Sequence, residues 1–84
     1  MIGDEATRYF FEQVLRKRPY LSLDLCQSVV ANPIRVEPQE DGRVRHWGLA
    51  TLPNEREARI LRVVTLADGV TIHNAFPDRN FRED

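Results

Sequence analysis

The sequence contains one cysteine, Cys26. That excludes an internal disulfide framework and leaves no thiolate set to hold a metal, so Cys26 is expected to be a small buried hydrophobe. No apolar run approaches the roughly 18 residues of a membrane span, which sets a membrane aside. The opening Met-Ile-Gly-Asp-Glu carries neither the basic nor the apolar stretch of a secretory signal, and a cytoplasmic protein is expected. No Asp/Glu/His cluster stands at ligand spacing, so neither a metal nor a cofactor is expected. Repeats, linkers and low-complexity tracts are absent. At 84 residues the expectation is one domain, 1–84, near the size at which a single core only just offsets chain entropy.

Charge of one sign is also missing. The formal net charge of −1 argues against holding nucleic acid through bulk electrostatics. Lysine is nearly absent too: Lys17 is the single one beside eleven arginines. Arginine presents a planar fork of donors suited to phosphate and carboxylate, so this bias fits bidentate anion recognition. It fits surface ion pairs or a GC-rich genome equally well.

What is present divides by hydrophobic period. Asp4 can cap a first helix running to about Arg18, with Glu5 favourable to its dipole. Phe10 and Val14, flanked by Tyr9, Phe11 and Leu15, make its apolar stripe. Pro19 ends it. Arg16, Lys17 and Arg18 fall in the last turn, where cations complement the helix dipole and can also meet phosphate. Ser22 is the N-cap of a second helix, with Leu21 and Cys26 as a hydrophobic staple. Asn32-Pro33 stops it, with Asn32 expected in a left-handed cap conformation.

From there the period is two. Ile34 and Val36 mark a short half-buried strand, which Pro38 assigns to an edge. Gln39 to Gly42 is a turn. In the next strand Arg43, Arg45, Trp47 and Leu49 share one face, and Val44, His46, Gly48 and Ala50 the other. Gly48 marks a bulge or a close approach of another group. An exposed connection from Pro53 to Glu57 leads into a hairpin from Arg59 to Phe76 about Asp68-Gly69. Two registers are open. A two-residue loop pairs Val64 with His73 and puts Arg62 and His73 on one face. A three-residue loop with a bulge pairs Val63 with His73, puts them on opposite faces, and gathers Val64, Leu66, Val70, Ile72 and Phe76 into a better core; it is slightly favoured. The expected fold is α+β, two N-terminal helices covering one face of a four-stranded antiparallel meander, with the other face left for function.

The Arg-Lys-Arg helix ending, Asn32-Pro33, Asp41-Gly42-Arg43-Val44-Arg45-His46-Trp47-Gly48, Leu61-Arg62-Val63-Val64-Thr65 and Asn74-Ala75-Phe76-Pro77-Asp78-Arg79 together resemble small uncharacterised proteins grouped loosely with RelE-like and BrnT-like ribonuclease toxins. The similarity covers nearly the whole chain. It implies a RelE/barnase-like arrangement with a ribonuclease-type face on the sheet, and a partner antitoxin encoded beside it.

Metal-free RNA cleavage needs a base for the 2′-hydroxyl, an acid for the leaving oxygen and cations for the pentacoordinate phosphate. On that reading the catalytic candidates are His73, His46, Arg62, Arg45 and Arg79, histidine being the side chain type whose reference pKa lies near neutrality. The RNA-binding candidates are Arg16, Lys17, Arg18, Trp47 and Tyr9, the last two as stacking surfaces. Each has a plainer role: the histidines as ordinary strand residues, Trp47 as core, Asp78-Arg79 as a turn or local ion pair. Two other classes stand beside the toxin. One is a non-catalytic module binding a protein or nucleic acid through the open sheet face. The other is a structural protein whose sheet edge pairs into a homodimer.

Overall fold

A computed structural model describes residues 6–82. The expected capping by Asp4 and Glu5 lies outside the described residues. The first helix begins later than expected. Ala6 is extended in a parallel bridge with Ile72, and Thr7 N–H donates to the Ile72 carbonyl at 2.8 Å. Thr7 then caps the helix, its Oγ1 accepting from Phe10 N at 3.1 Å. The middle of the helix, Phe10–Val14, is π-helical and leads into a single α-helical turn, α1, Leu15–Lys17. Phe10 and Val14 are buried, whereas Tyr9 and Phe11 lie outside the core. The apolar stripe is thus narrower than the sequence implies.

Helix α2, Leu23–Ala31, starts where Ser22 Oγ accepts from Leu25 N at 3.1 Å. Leu21 and Cys26 are both buried in the core. Burial pushes the Cys26 thiol up to about 12, which makes it inert at neutral pH. Asn32 ends α2 at φ −135°, ψ 62° and not in the left-handed region: the following proline alone disfavours continuing the helix.

Strands β1 (Arg35–Pro38), β2 (Val44–Ala50), β3 (Arg59–Thr65) and β4 (Ile72–Pro77) form one antiparallel sheet in the order β1-β2-β3-β4. The α+β class, the N-terminal helices and the meander agree with the sequence. β1 is an edge strand, but Ile34 and Val36 are exposed, so its apolar side is not half-buried as expected. On the covered face Leu61, Val63, Thr65, Ile72 and Ala75 pack beneath Phe10, Val14 and Val29. Gly48 permits this contact. A Cβ there would stand 3.0 Å from Val29 Cγ1 and 3.4 Å from the Asn32 carbonyl oxygen. The glycine marks the approach of α2 and not a bulge.

Neither expected hairpin register holds along the whole pair. Gly69, at φ 72°, donates to the Leu66 carbonyl, and Leu66 N donates to Thr71 O at 2.9 Å, so four residues form the loop. Asp68 Oδ1 accepts from both Val70 N and Thr71 N at 2.9 Å and fixes it. Thr65 then pairs with Ile72 but Val64 with Asn74, leaving His73 as the extra residue of a β-bulge. Beyond the bulge Arg62 faces Phe76 and Val63 faces Ala75. The expected core of Val64, Leu66, Val70, Ile72 and Phe76 is therefore not formed: Val70 is exposed, and Val64 and Phe76 lie on the open face with Arg62.

Candidate functional site on the open sheet face

Strand register builds the open face in rows. Arg35 pairs with Trp47, Trp47 with Arg62 and Arg62 with Phe76, so cations and aromatic rings alternate across all four strands. The Arg62 guanidinium carbon lies 4.5 Å from the Phe76 ring centroid and 5.8 Å from that of Trp47. Arg35 stands 6.0 Å from the Trp47 ring, and Arg18 reaches from the end of the first helix to 5.9 Å from Phe76. These are cation–π distances, and they hold Arg62 between two rings. The neighbouring row is Glu37, Arg45, Val64 and Asn74. With its amide turned to match, Gln39 accepts from Arg45 Nε and Nη2 at 3.0 and 3.1 Å.

A carboxylate locks the first row. Asp78 Oδ2 accepts from Trp47 Nε1 at 2.9 Å and lies 3.6 Å from Arg62 Nε, an ion pair just beyond hydrogen-bond range. Its Oδ1 accepts from Asn80 N at 3.0 Å. The indole N–H foremost, and then Asn80 N–H and the Arg62 charge, hold the Asp78 carboxyl below its ordinary value against an opposing effect of burial. Phe81 returns over the sheet and stacks on Trp47 at 5.5 Å between centroids, and Arg35 Nη1 donates to the Arg82 carbonyl at 3.4 Å.

Bordering Arg62 is a cavity of about 290 Å³ lined by Asp41 and Arg43 from the β1–β2 turn, by His73 and Phe76 from β4, and by Tyr9 and Arg62, among others. The bulge turns His73 into it. Its Nδ1 meets Thr7 Oγ1 at 3.0 Å, and the Tyr9 ring stacks on the imidazole with centroids 4.8 Å apart. Thr7 thus joins the start of the helix to the bulge. With Nδ1 so engaged, Nε2 is the nitrogen that faces a ligand, as donor or acceptor according to the tautomer. Desolvation and then the Arg43 charge lower the His73 pKa, while Asp41 opposes them. Both lowering effects favour the neutral imidazole.

Of the candidates named from sequence, the structure brings His73, Arg62 and Tyr9 to this cavity. Arg45 and Trp47 share the same sheet face, and Arg18 reaches it. His46 is on the opposite face, buried beneath the helices with Nδ1 3.3 Å from the Val63 carbonyl oxygen, and does not meet His73. Trp47 is 6% exposed, covered by Phe81 and bonded to Asp78, so its plainer role as a packed ring describes this structure. Arg79 lines a separate groove with Arg59 and Ile60, beyond the end of β4. Arg16 and Lys17 are exposed, Arg16 in a shallow groove with Phe11 and Leu15. Sequence reasoning missed Thr7, Asp41 and Phe76 as members of the site, and Arg43 as well. Arg43 alone had a signal, its alternation with Arg45 and Trp47. Among the described residues no group of three or more His, Cys, Asp or Glu could hold a metal ion, and no helix is long and apolar enough to cross a membrane.

No family model, curated protein or solved structure matches the chain.

Proposed function

We propose that the protein is the toxin of a toxin–antitoxin pair, a metal-free endoribonuclease acting on cytoplasmic RNA from a RelE-like sheet face. The observation that carries this reading is His73, bonded to Thr7 and stacked on Tyr9, in a cavity shared with the Arg62 and Arg43 cations and the Asp41 carboxylate that pairs with Arg43 at 3.5 Å. With its Nδ1–H donated to Thr7, His73 takes the 2′-hydroxyl proton at Nε2; the 2′-oxygen bonds to phosphorus as the P–O5′ bond breaks, leaving a 2′,3′-cyclic phosphate and a 5′-oxygen that takes its proton from solvent in the open cavity. Arg62 and Arg43 stabilise charge on the pentacoordinate phosphate, Arg62 being fixed in place beforehand by Phe76, Trp47 and Asp78. The exposed face of Tyr9 stacks a base beside the reacting phosphate. A cognate antitoxin silences such an enzyme by covering this face.

The test is inducible expression of the wild type and of His73→Ala in a bacterial host, following growth and total RNA together. Arrest with RNA cleavage that the variant loses supports the reading. Unimpaired growth with intact RNA, from protein shown to be folded, overturns it. A second reading, a non-catalytic binding module, is favoured by the burial of His46, which leaves His73 as the cavity's one group titrating near neutrality. It expects His73→Ala to weaken binding with no cleavage by either protein.

A further inference from the structure

A second cavity, of about 340 Å³, lies across Arg62 from the first, and its lining includes Arg35, Trp47, Arg62, Asp78, Phe81 and Arg82. Arg62 borders both. The carboxylates around this second cavity are engaged locally: Glu37 with Arg35 at 2.6 Å, and Asp78 with Trp47 and Arg62. The side chain of Arg82 belongs to an exposed residue. Half-buried Phe81, supported from beneath by Trp47, is the aromatic surface offered to a ligand. Aromatic support with cations on several sides is the chemistry that takes a nucleotide through its base and its phosphate together.

Resting on the ribonuclease reading, we infer that this cavity is a second nucleotide subsite, and that the substrate is single-stranded RNA lying across the sheet from β4 to β1 along the Phe76, Arg62, Trp47 and Arg35 row. The charge distribution favours such a ligand. Arg18, Arg35, Arg43, Arg45, Arg62 and Arg82 gather around one face against the carboxylates Glu37, Asp41 and Asp78, so that face carries an excess of cations in a chain whose net charge is −1. Paired bases cannot reach the rings, so the strand must be unpaired. Four strands about 4.8 Å apart span about 14 Å. That is about four times the roughly 3.4 Å rise per nucleotide of a stacked strand, more than a dinucleotide covers. A dinucleotide fills the first cavity and leaves the second vacant.

The experiment titrates hexauridylate and the dinucleotide UpU into the His73→Ala protein, which prevents cleavage, reading the fluorescence of Trp47, the single tryptophan of the chain. The hexamer is expected to bind about tenfold or more tightly than the dinucleotide. Phe81→Ala and Arg35→Gln are expected to remove that advantage and leave dinucleotide affinity unchanged. Arg35→Gln alters an exposed edge residue, so it keeps the test valid if Phe81→Ala does not fold. Equal affinity for the two RNAs, or an advantage that survives both substitutions, overturns the subsite and leaves the ribonuclease reading standing. Binding of neither RNA overturns both. Hexamer preference in a protein whose wild type cleaves nothing supports the subsite and removes only the catalysis.

Discussion

Trp47 donates its indole N–H to the Asp78 carboxylate at 2.9 Å, joining the middle of β2 to the residue just past β4. One carboxylate thereby fixes a ring and, through its ion pair at 3.6 Å, the Arg62 cation between two cavities. Asp78→Ala leaves Trp47 Nε1 and the Arg62 charge without their partner. Losing a hydrogen bond to a charged group is expected to cost about 1–3 kcal/mol, read as a lower urea midpoint. Because the folded-state pKa of Asp78 is depressed, its contribution is complete above the unfolded value near 4 and is lost as pH falls through the folded value. The difference between wild type and variant should therefore shrink in acid. A difference unchanged down to pH 2 would show that the carboxylate charge contributes nothing.

The covered face makes a separate expectation. Adding a methyl at Gly48 puts it 3.0 Å from Val29 Cγ1, against the helix that roofs the core. Gly48→Ala is expected to destabilise by about 1–3 kcal/mol. Combining it with Val29→Ala should recover part of that loss, because the second change removes the clashing carbons. A double variant whose loss equals the sum of the two single losses would mean that the pair does not couple.

These two positions differ in how far they could be read from sequence. Gly48 stands in a strand whose alternation separates Arg45 and Trp47 from His46 and Ala50, and a close approach was one of the two meanings, beside a bulge, that this pattern left open. Ser22 and Pro33 likewise bound α2 through local chemistry. Asp78 is different: its partners are 16 and 31 residues away and depend on register. That register was itself illegible, since it is fixed by the Asp68 side chain closing a four-residue loop and by one extra residue, His73. The same bulge decides which face His73 joins, and Thr7, 66 residues away, reaches it only because the chain at Ala6 runs beside Ile72. Local chemistry was readable, and the long-range pairs that assemble the site were not.

Thr65 provides a test within the core. It is fully buried on the helix side of β3, and its Oγ1 has no hydrogen-bond partner among the described residues. Replacing that hydroxyl with a methyl conserves shape and removes a polar group held out of water without compensation. Thr65→Val is expected to stabilise the fold by about 1 kcal/mol, measured as a rise in urea midpoint at unchanged slope. A lower midpoint would reveal a hydrogen bond that this hydroxyl makes.

The pH dependence of cleavage tests the electrostatics of the cavity. Burial and the Arg43 charge lower the His73 pKa, and Asp41 raises it. If His73 is the base, kcat/KM should rise with pH along an acid limb whose midpoint lies below 6.5, because only the neutral ring accepts the proton. Arg43→Gln should move that midpoint up, toward 6.5, and Asp41→Asn should move it further down. The same shift affects folding. Between the folded value and 6.5 the unfolded chain binds more protons than the native one, so stability falls as pH drops through that window. His73→Ala should abolish this slope together with the activity. An acid limb that ignores both neighbouring substitutions would show that the titrating group lies outside the cavity, and that His73 serves there as a stacked partner of Tyr9.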